Sequence, residues 1–204
     1  QNLLRFPAAD GHLSGPDLVK AKVKTWVCMG GNFVGHPPRD DLKLGNVNFQ
    51  RDAAAAVFAI QNWPAPLVFV GREIGSVPSG LAIGASLART PPENPVRRAY
   101  FLYSGGHKNR HVADLTTVLY AVRGLQDYWD IQPKGSMEIR PDATFEWSFD
   151  QDKNHAYLLK KSRNGQPNDG YIEAVLDALL IHPPRAALRK ATEPRKDSED
   201  LDSR

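Results

Sequence analysis

Lys24-Thr-Trp-Val-Cys-Met-Gly-Gly31, followed after a loop by Gly45-Asn-Val-Asn-Phe-Gln-Arg-Asp52 and the run Ala53-Ala-Ala-Ala56, decides how this chain folds. An apolar run that ends in Met29-Gly30-Gly31 reads as a buried strand feeding a loop. Asn46 and Asn48 bring that loop back to a helix capped near Asp52. In open α/β sheets, ligands sit in the crevice beyond the carboxyl ends of the strands. Amides at that place can hold a small polar ligand.

The alternation of strand and helix continues outward from this stretch. Leu18 to Lys24 is amphipathic, and Thr25 to Met29 predicts a short strand. Residues 51–62 predict a helix, which Trp63-Pro64 ends because proline disfavours helical geometry in the residue before it. Pro66-Leu-Val-Phe-Val-Gly71 is a continuous apolar run, the pattern of a central parallel strand. Residues 78–89 predict a second helix, and residues 95–103 a short one with Pro95 in its first turn. Ala113 to Arg123 predicts a helix with Leu115, Val118, Leu119 and Val122 on one face and Gly124 just past its end. Within 136–161, the segments 136–140, 144–149 and 156–160 alternate like antiparallel strands. Residues 169–182 predict the last helix. The expected fold class is α/β: an open, Rossmann-like sheet flanked by helices, with a small antiparallel β appendage at 136–161.

Two ends stand apart. Gln1-Asn-Leu-Leu4 has no initiator Met and reads like the middle of a βα unit, so the chain is expected to be a fragment or processed product. Residues 185–204 carry six basic and five acidic side chains, with only Leu188 and Leu201 as large apolar residues. That composition predicts a disordered tail.

Composition narrows the function. A chain of 204 residues can bury the core of one domain, and 41% hydrophobic with 24% charged residues is ordinary for a globular protein. The net charge of +3 is spread over dispersed Lys and Arg, without a basic run interleaved with aromatics. Nucleic acid is therefore not an expected partner. Cys28 stands alone, which excludes an internal disulfide. No apolar run reaches the roughly 18 to 20 residues of a membrane helix, so no membrane partner is expected and a soluble, cytoplasmic chain is the favoured reading.

Three polar clusters fall at predicted strand or helix ends. The first is Met29, Asn32, Asn46 and Asn48, where the asparagines can equally be turn residues. The second is Arg72-Glu73 after the strand at 66–71, equally readable as a solvated ion pair. The third is His107, Asn109, Arg110, His111 and Asp114. Asp114 can be a helix N-cap rather than a ligand, and the histidines can simply be exposed.

Taken in order, these motifs resemble the inosine–uridine-preferring nucleoside hydrolase family. Asn2-Leu3-Leu4 is similar to that family's Asn-Leu-Ala, and Met29-Gly30-Gly31 to its Met-Gly-Gly. Asn46-Val-Asn48 with Phe49 and Asp52-Ala-Ala-Ala-Ala-Val57 resembles Glu-Phe-Asn-x-x-x-Asp-Pro-Glu-Ala-Ala. Glu73 in Gly71-Arg-Glu-Ile-Gly75 stands where the family has an acidic residue after a central strand. Asp114-Leu-Thr-Thr-Val-Leu-Tyr-Ala-Val122 resembles its Asp-Pro-x-Ala-Val-x-Tyr-Ala helix start. The likeness covers residues 2 to about 183, the C-terminal part of the family's domain.

The resemblance implies hydrolysis of the N-glycosidic bond of a ribonucleoside to ribose and free base, as in purine and pyrimidine salvage. It implies a calcium ion that binds the ribose hydroxyls and the attacking water. Asp114 would be a metal ligand, and Gln1 would stand where a backbone carbonyl binds the metal. Asn48 would hold ribose hydroxyls, with Met29, Asn46 and Glu73 beside the sugar. A homo-oligomer, or association with an N-terminal segment, would complete the assembly.

Three departures bear on activity. The family's Asp-x-Asp-x-x-x-Asp-Asp motif, which supplies the general base and most metal carboxylates, has no counterpart here, and Asp40-Asp41 lacks its preceding strand. Ala113 occupies the position of a family His that protonates the leaving base, a role left to His107 or His111. Asn46 replaces a Glu. The isolated chain is expected to be inactive or weak. The alternatives are a catalytically degenerate homologue that binds ribosides or sugars, or an interaction scaffold.

Overall fold

The computed structural model describes residues 1–33, 47–76 and 79–182. Asn46, Asp40-Asp41 and the tail at 185–204 lie outside the described residues.

Two short helices lead in, α1 (Asn2–Arg5) and α2 (Gly15–Lys22). Strand β1 (Trp26–Met29) follows, then α3 (Val47–Gln50) and α4 (Ala53–Asn62). Helix α4 starts where its cap predicts: the Asp52 carboxylate accepts the Ala55 N–H at 3.0 Å, satisfying one donor that the helix itself leaves unpaired. Strand β2 (Leu67–Val70) is buried at every residue. Beyond it come α5 (Arg72–Gly75), β3 (Ala82–Ile83), a 3-10 turn at Ala85–Arg89, α6 (Pro95–Ser104), β4 (Arg110–His111) and α7 (Ala113–Arg123). The last part holds β5 (Trp129–Gln132), β6 (Ser136–Ile139), β7 (Phe145–Ser148) and β8 (His155–Lys160). The small strands β9 (Ser162–Arg163) and β10 (Gln166–Pro167) precede α8 (Asp169–Ile181).

The expected α/β class is the observed one. The main sheet runs in the order β1-β2-β8-β5. Strand β2 pairs in parallel with both β1 and β8, and β5 closes the sheet antiparallel to β8. Successive side chains of a strand face opposite sides of the sheet, and β2 divides accordingly. Val68 and Val70 join Leu119 of α7 with Ile172 and Leu176 of α8 in one core layer. Leu67 and Phe69 join Ile60 of α4 with Met137 and Ile139 of β6 in the other. With both faces covered there is no polar face to alternate with, which is why the sequence of β2 is uniformly apolar.

Three expectations are corrected, and one strand is new. Residues 79–89 are not a continuous helix: Gly80 and Gly84 take φ of +80° and +127°, and the chain turns through β3 into the 3-10 segment. At Gly84 a Cβ would lie 2.4 Å from the Tyr100 ring, so the close approach itself requires glycine. Strand β8 belongs to the main sheet, which limits the antiparallel appendage to the hairpin β6–β7. Strand β5 was not anticipated at all. Asp114 is not the N-cap of α7; Val112 is, and Asp114 lies in the first turn.

Candidate functional site

The carboxyl ends of β1 and β2 are tied together past the last ladder residues. The Gly30 N–H donates to the Val70 carbonyl, and the Arg72 N–H donates to the Gly31 carbonyl, both at 3.0 Å. Gly31 turns the chain with φ +90°, and a Cβ there would meet the Phe33 ring at 2.5 Å. The turn directs Phe33 inward, where its ring stacks on Tyr157 of β8 with centroids 4.6 Å apart and Trp147 of β7 stands edge-on.

Beneath this turn lies Glu73. Its Oε1 accepts the Phe33 N–H at 3.0 Å. Burial pushes the carboxyl up to about 7, against the lowering pull of backbone N–H bonds and of Arg72. Glu73 is therefore not the solvated half of an ion pair with Arg72. Among the described residues its Oε2 is buried without a hydrogen-bond partner, and so is Oδ1 of Asn32, the residue before Phe33. Each buried polar atom left unpaired costs about 1–3 kcal/mol. Asn48 reaches the same strand end: its Nδ2 donates to the Met29 carbonyl at 3.4 Å and lies 3.1 Å from Sδ.

A second feature adjoins this edge. The Val112 N–H donates to the Gly75 carbonyl at 2.7 Å, docking the start of α7 against α5. There a cleft of about 580 Å³ opens between α6 and the β4–α7 junction, lined by Tyr100, Tyr103, Arg110, His111 and Asp114 among others. The Arg110 guanidinium lies over the Tyr103 ring, 4.6 Å from its centroid.

The expected residues thus divide between the two places. Met29, Asn48 and Glu73 gather at the strand ends, while His111 and Asp114 share the cleft. His107 does not line it; its ring packs on Phe101 at 5.1 Å. Gln1 is exposed at the start of α1, and its carbonyl accepts the Arg5 N–H at 3.3 Å. The calcium ion that the resemblance implies takes roughly six to eight oxygen ligands. Among the described residues no three of Asp, Glu, His and Cys gather as a metal site, and Asp114 shares its cleft with a guanidinium. The described residues by themselves do not make up a calcium cage.

Sequence reasoning missed Phe33, Tyr157, Tyr100 and Tyr103. The i, i+3 spacing of the two tyrosines on a helix was a readable sign of a shared face; nothing local in the sequence joins Phe33 to Tyr157. Compared with known proteins, the chain matches no family model and no curated protein.

Proposed function

We propose that the carboxyl edge of β1 and β2 binds the sugar of a ribonucleoside or similar riboside, as the sugar-facing part of a nucleoside hydrolase-like site. One observation carries this reading. Two buried acceptors without partners among the described residues, Glu73 Oε2 and Asn32 Oδ1, flank Phe33 at the ends of parallel strands. Acceptors in want of donors suit a polyol, whose hydroxyls supply them. The exposed Asn48 amide, bonded to Met29, adds a group of a type able both to donate and to accept.

Cleavage of an N-glycosidic bond passes through an oxocarbenium-like state, so contacts to ribose hydroxyls that tighten as charge develops lower the barrier. Glu73, with its proton exchanging near neutrality, suits a carboxyl that alternates between donating to and accepting from a hydroxyl. Activation of water needs a positioned base. The Asp-rich motif that supplies it in the resembled family is not in this sequence. The chain's own part in the reaction is therefore binding and orientation of the sugar.

A riboside binder without hydrolysis is the second reading. Ala113 in the place of the family's His favours it. Calorimetry with ribose, uridine and inosine, alongside an assay of base release, tests both. Binding of the ribosides that weakens in Asn48→Ala supports the site, and base release separates the hydrolase from the binder. Failure of every riboside and of ribose to bind would overturn both readings.

A further inference from the structure

The cleft between α6 and α7 carries a cation, Arg110, to which no carboxylate is paired among the described residues. The Arg110 side chain makes no ion pair or hydrogen bond among the described residues; its guanidinium lies over the Tyr103 ring, and its charge also acts on Tyr100. Stacking occupies the flat face of a guanidinium and leaves the N–H donors on its rim unused. Those donors match the paired oxygens of a phosphate or carboxylate bidentately. His111, exposed on the same strand, adds another donor at the mouth.

Among the described residues the only carboxylate lining the cleft is Asp114, and it forms no ion pair with Arg110. The first turn of the 11-residue helix α7 also faces this junction, and its N-cap, Val112, has no side-chain acceptor to offer it. Tyr100 and Tyr103 supply aromatic walls beside the cation. The cleft is thus suited to an anion attached to a ring-bearing body, and its floor is bonded to the segment that leaves β2 through Val112 and Gly75.

From this geometry we infer that the Arg110–Tyr103 cleft binds the phosphate of a phosphorylated riboside, so that the chain prefers nucleoside monophosphates to nucleosides. The inference rests on the riboside reading of the neighbouring strand ends, and adds to it the ionic character of the ligand.

Calorimetric titration of the whole chain with uridine, uridine monophosphate and inorganic phosphate tests it, using wild type, Arg110→Gln and Arg110→Lys. The monophosphate is expected to bind about tenfold or more tightly than the nucleoside, the scale of charge-assisted bonds. Arg110→Gln should remove that advantage while nucleoside affinity stays. Arg110→Lys should keep part of it, a readout that loss of packing on Tyr103 alone would not give. Circular dichroism melts of each variant verify folding. Equal binding of nucleoside and monophosphate, or an advantage that survives Arg110→Gln, overturns the inference and leaves the riboside reading standing. Binding of inorganic phosphate as tight as the monophosphate, with no nucleoside binding, overturns both.

Discussion

The backbone N–H of Phe33 donates to Oε1 of Glu73 across forty residues of sequence. This bond fastens the turn after β1 to the turn after β2. It also explains why a carboxyl is tolerated in a buried position: one oxygen is held by the main chain, and the high proton affinity of the group spares the interior a permanent charge.

Glu73 links stability to pH. Its proton affinity rises from 4.5 in a free side chain to about 7 in the fold, so the folded state holds the extra proton between those values. The stability this proton provides is present below about 4.5 and is lost as pH rises through about 7. Glu73→Gln keeps an acceptor for Phe33 and stays neutral. It should exceed wild type in stability at pH 8 by on the order of 3 kcal/mol, and the gap should close near pH 4.5. Urea unfolding at the two pH values checks this; parallel pH curves for the two proteins would contradict it.

His155 acts in the opposite sense. Burial, with help from Lys153, pushes its imidazole down from 6.5 to about 4, against the opposing pull of Glu138 and Asp152. Its Nδ1 accepts the Met137 N–H at 3.1 Å, joining the hairpin β6–β7 to the main sheet. Protonation at Nδ1 would set two donors face to face. The unfolded chain takes up this proton first, so stability is full above about 6.5 and falls as pH drops toward 4. An NMR titration should find this ring neutral at pH 5.5; a midpoint near 6.5 would refute its burial.

Gly84→Ala should destabilise the chain by at least about 1–3 kcal/mol, combining strain at positive φ with overpacking. The added Cβ would meet the Tyr100 ring at 2.4 Å, and Tyr100 lines the cleft. A thermal melt measures the loss. Gly80→Ala serves as the control: it is also at positive φ but has nothing within 4 Å of its Cβ, so it should cost less.

Asn48→Ala should weaken riboside binding by about tenfold, the value of one to two hydrogen bonds, while the melting temperature changes little because the residue is exposed. Calorimetry and a melt of the same sample report the two effects. A large fall in stability with affinity retained would make Asn48 a structural residue instead.

Much of the architecture was legible from local chemistry. Asp52 followed by four alanines and closed by Trp63-Pro64 marks α4, and the uninterrupted apolar run marks β2, because caps, breakers and periodicity act over a few residues. Met29 and Asn48 came from the same logic, as residues at a strand's carboxyl end. What tertiary structure alone decided is where distant segments meet. Strand β8 alternates like a hairpin strand, yet it lies beside β2, buried between two layers. Residues 79–89 have helical composition, but the approach of Tyr100 to Gly84 bends them away. Arg72-Glu73 reads as a surface pair, and only the fold, by bringing the Phe33 N–H to the carboxyl and withdrawing it from most of the solvent, makes it a half-buried proton-binding group. Propensity and capping are written in neighbouring residues. Burial and desolvation arise from contacts between residues far apart in sequence, and the folded chain alone supplies those.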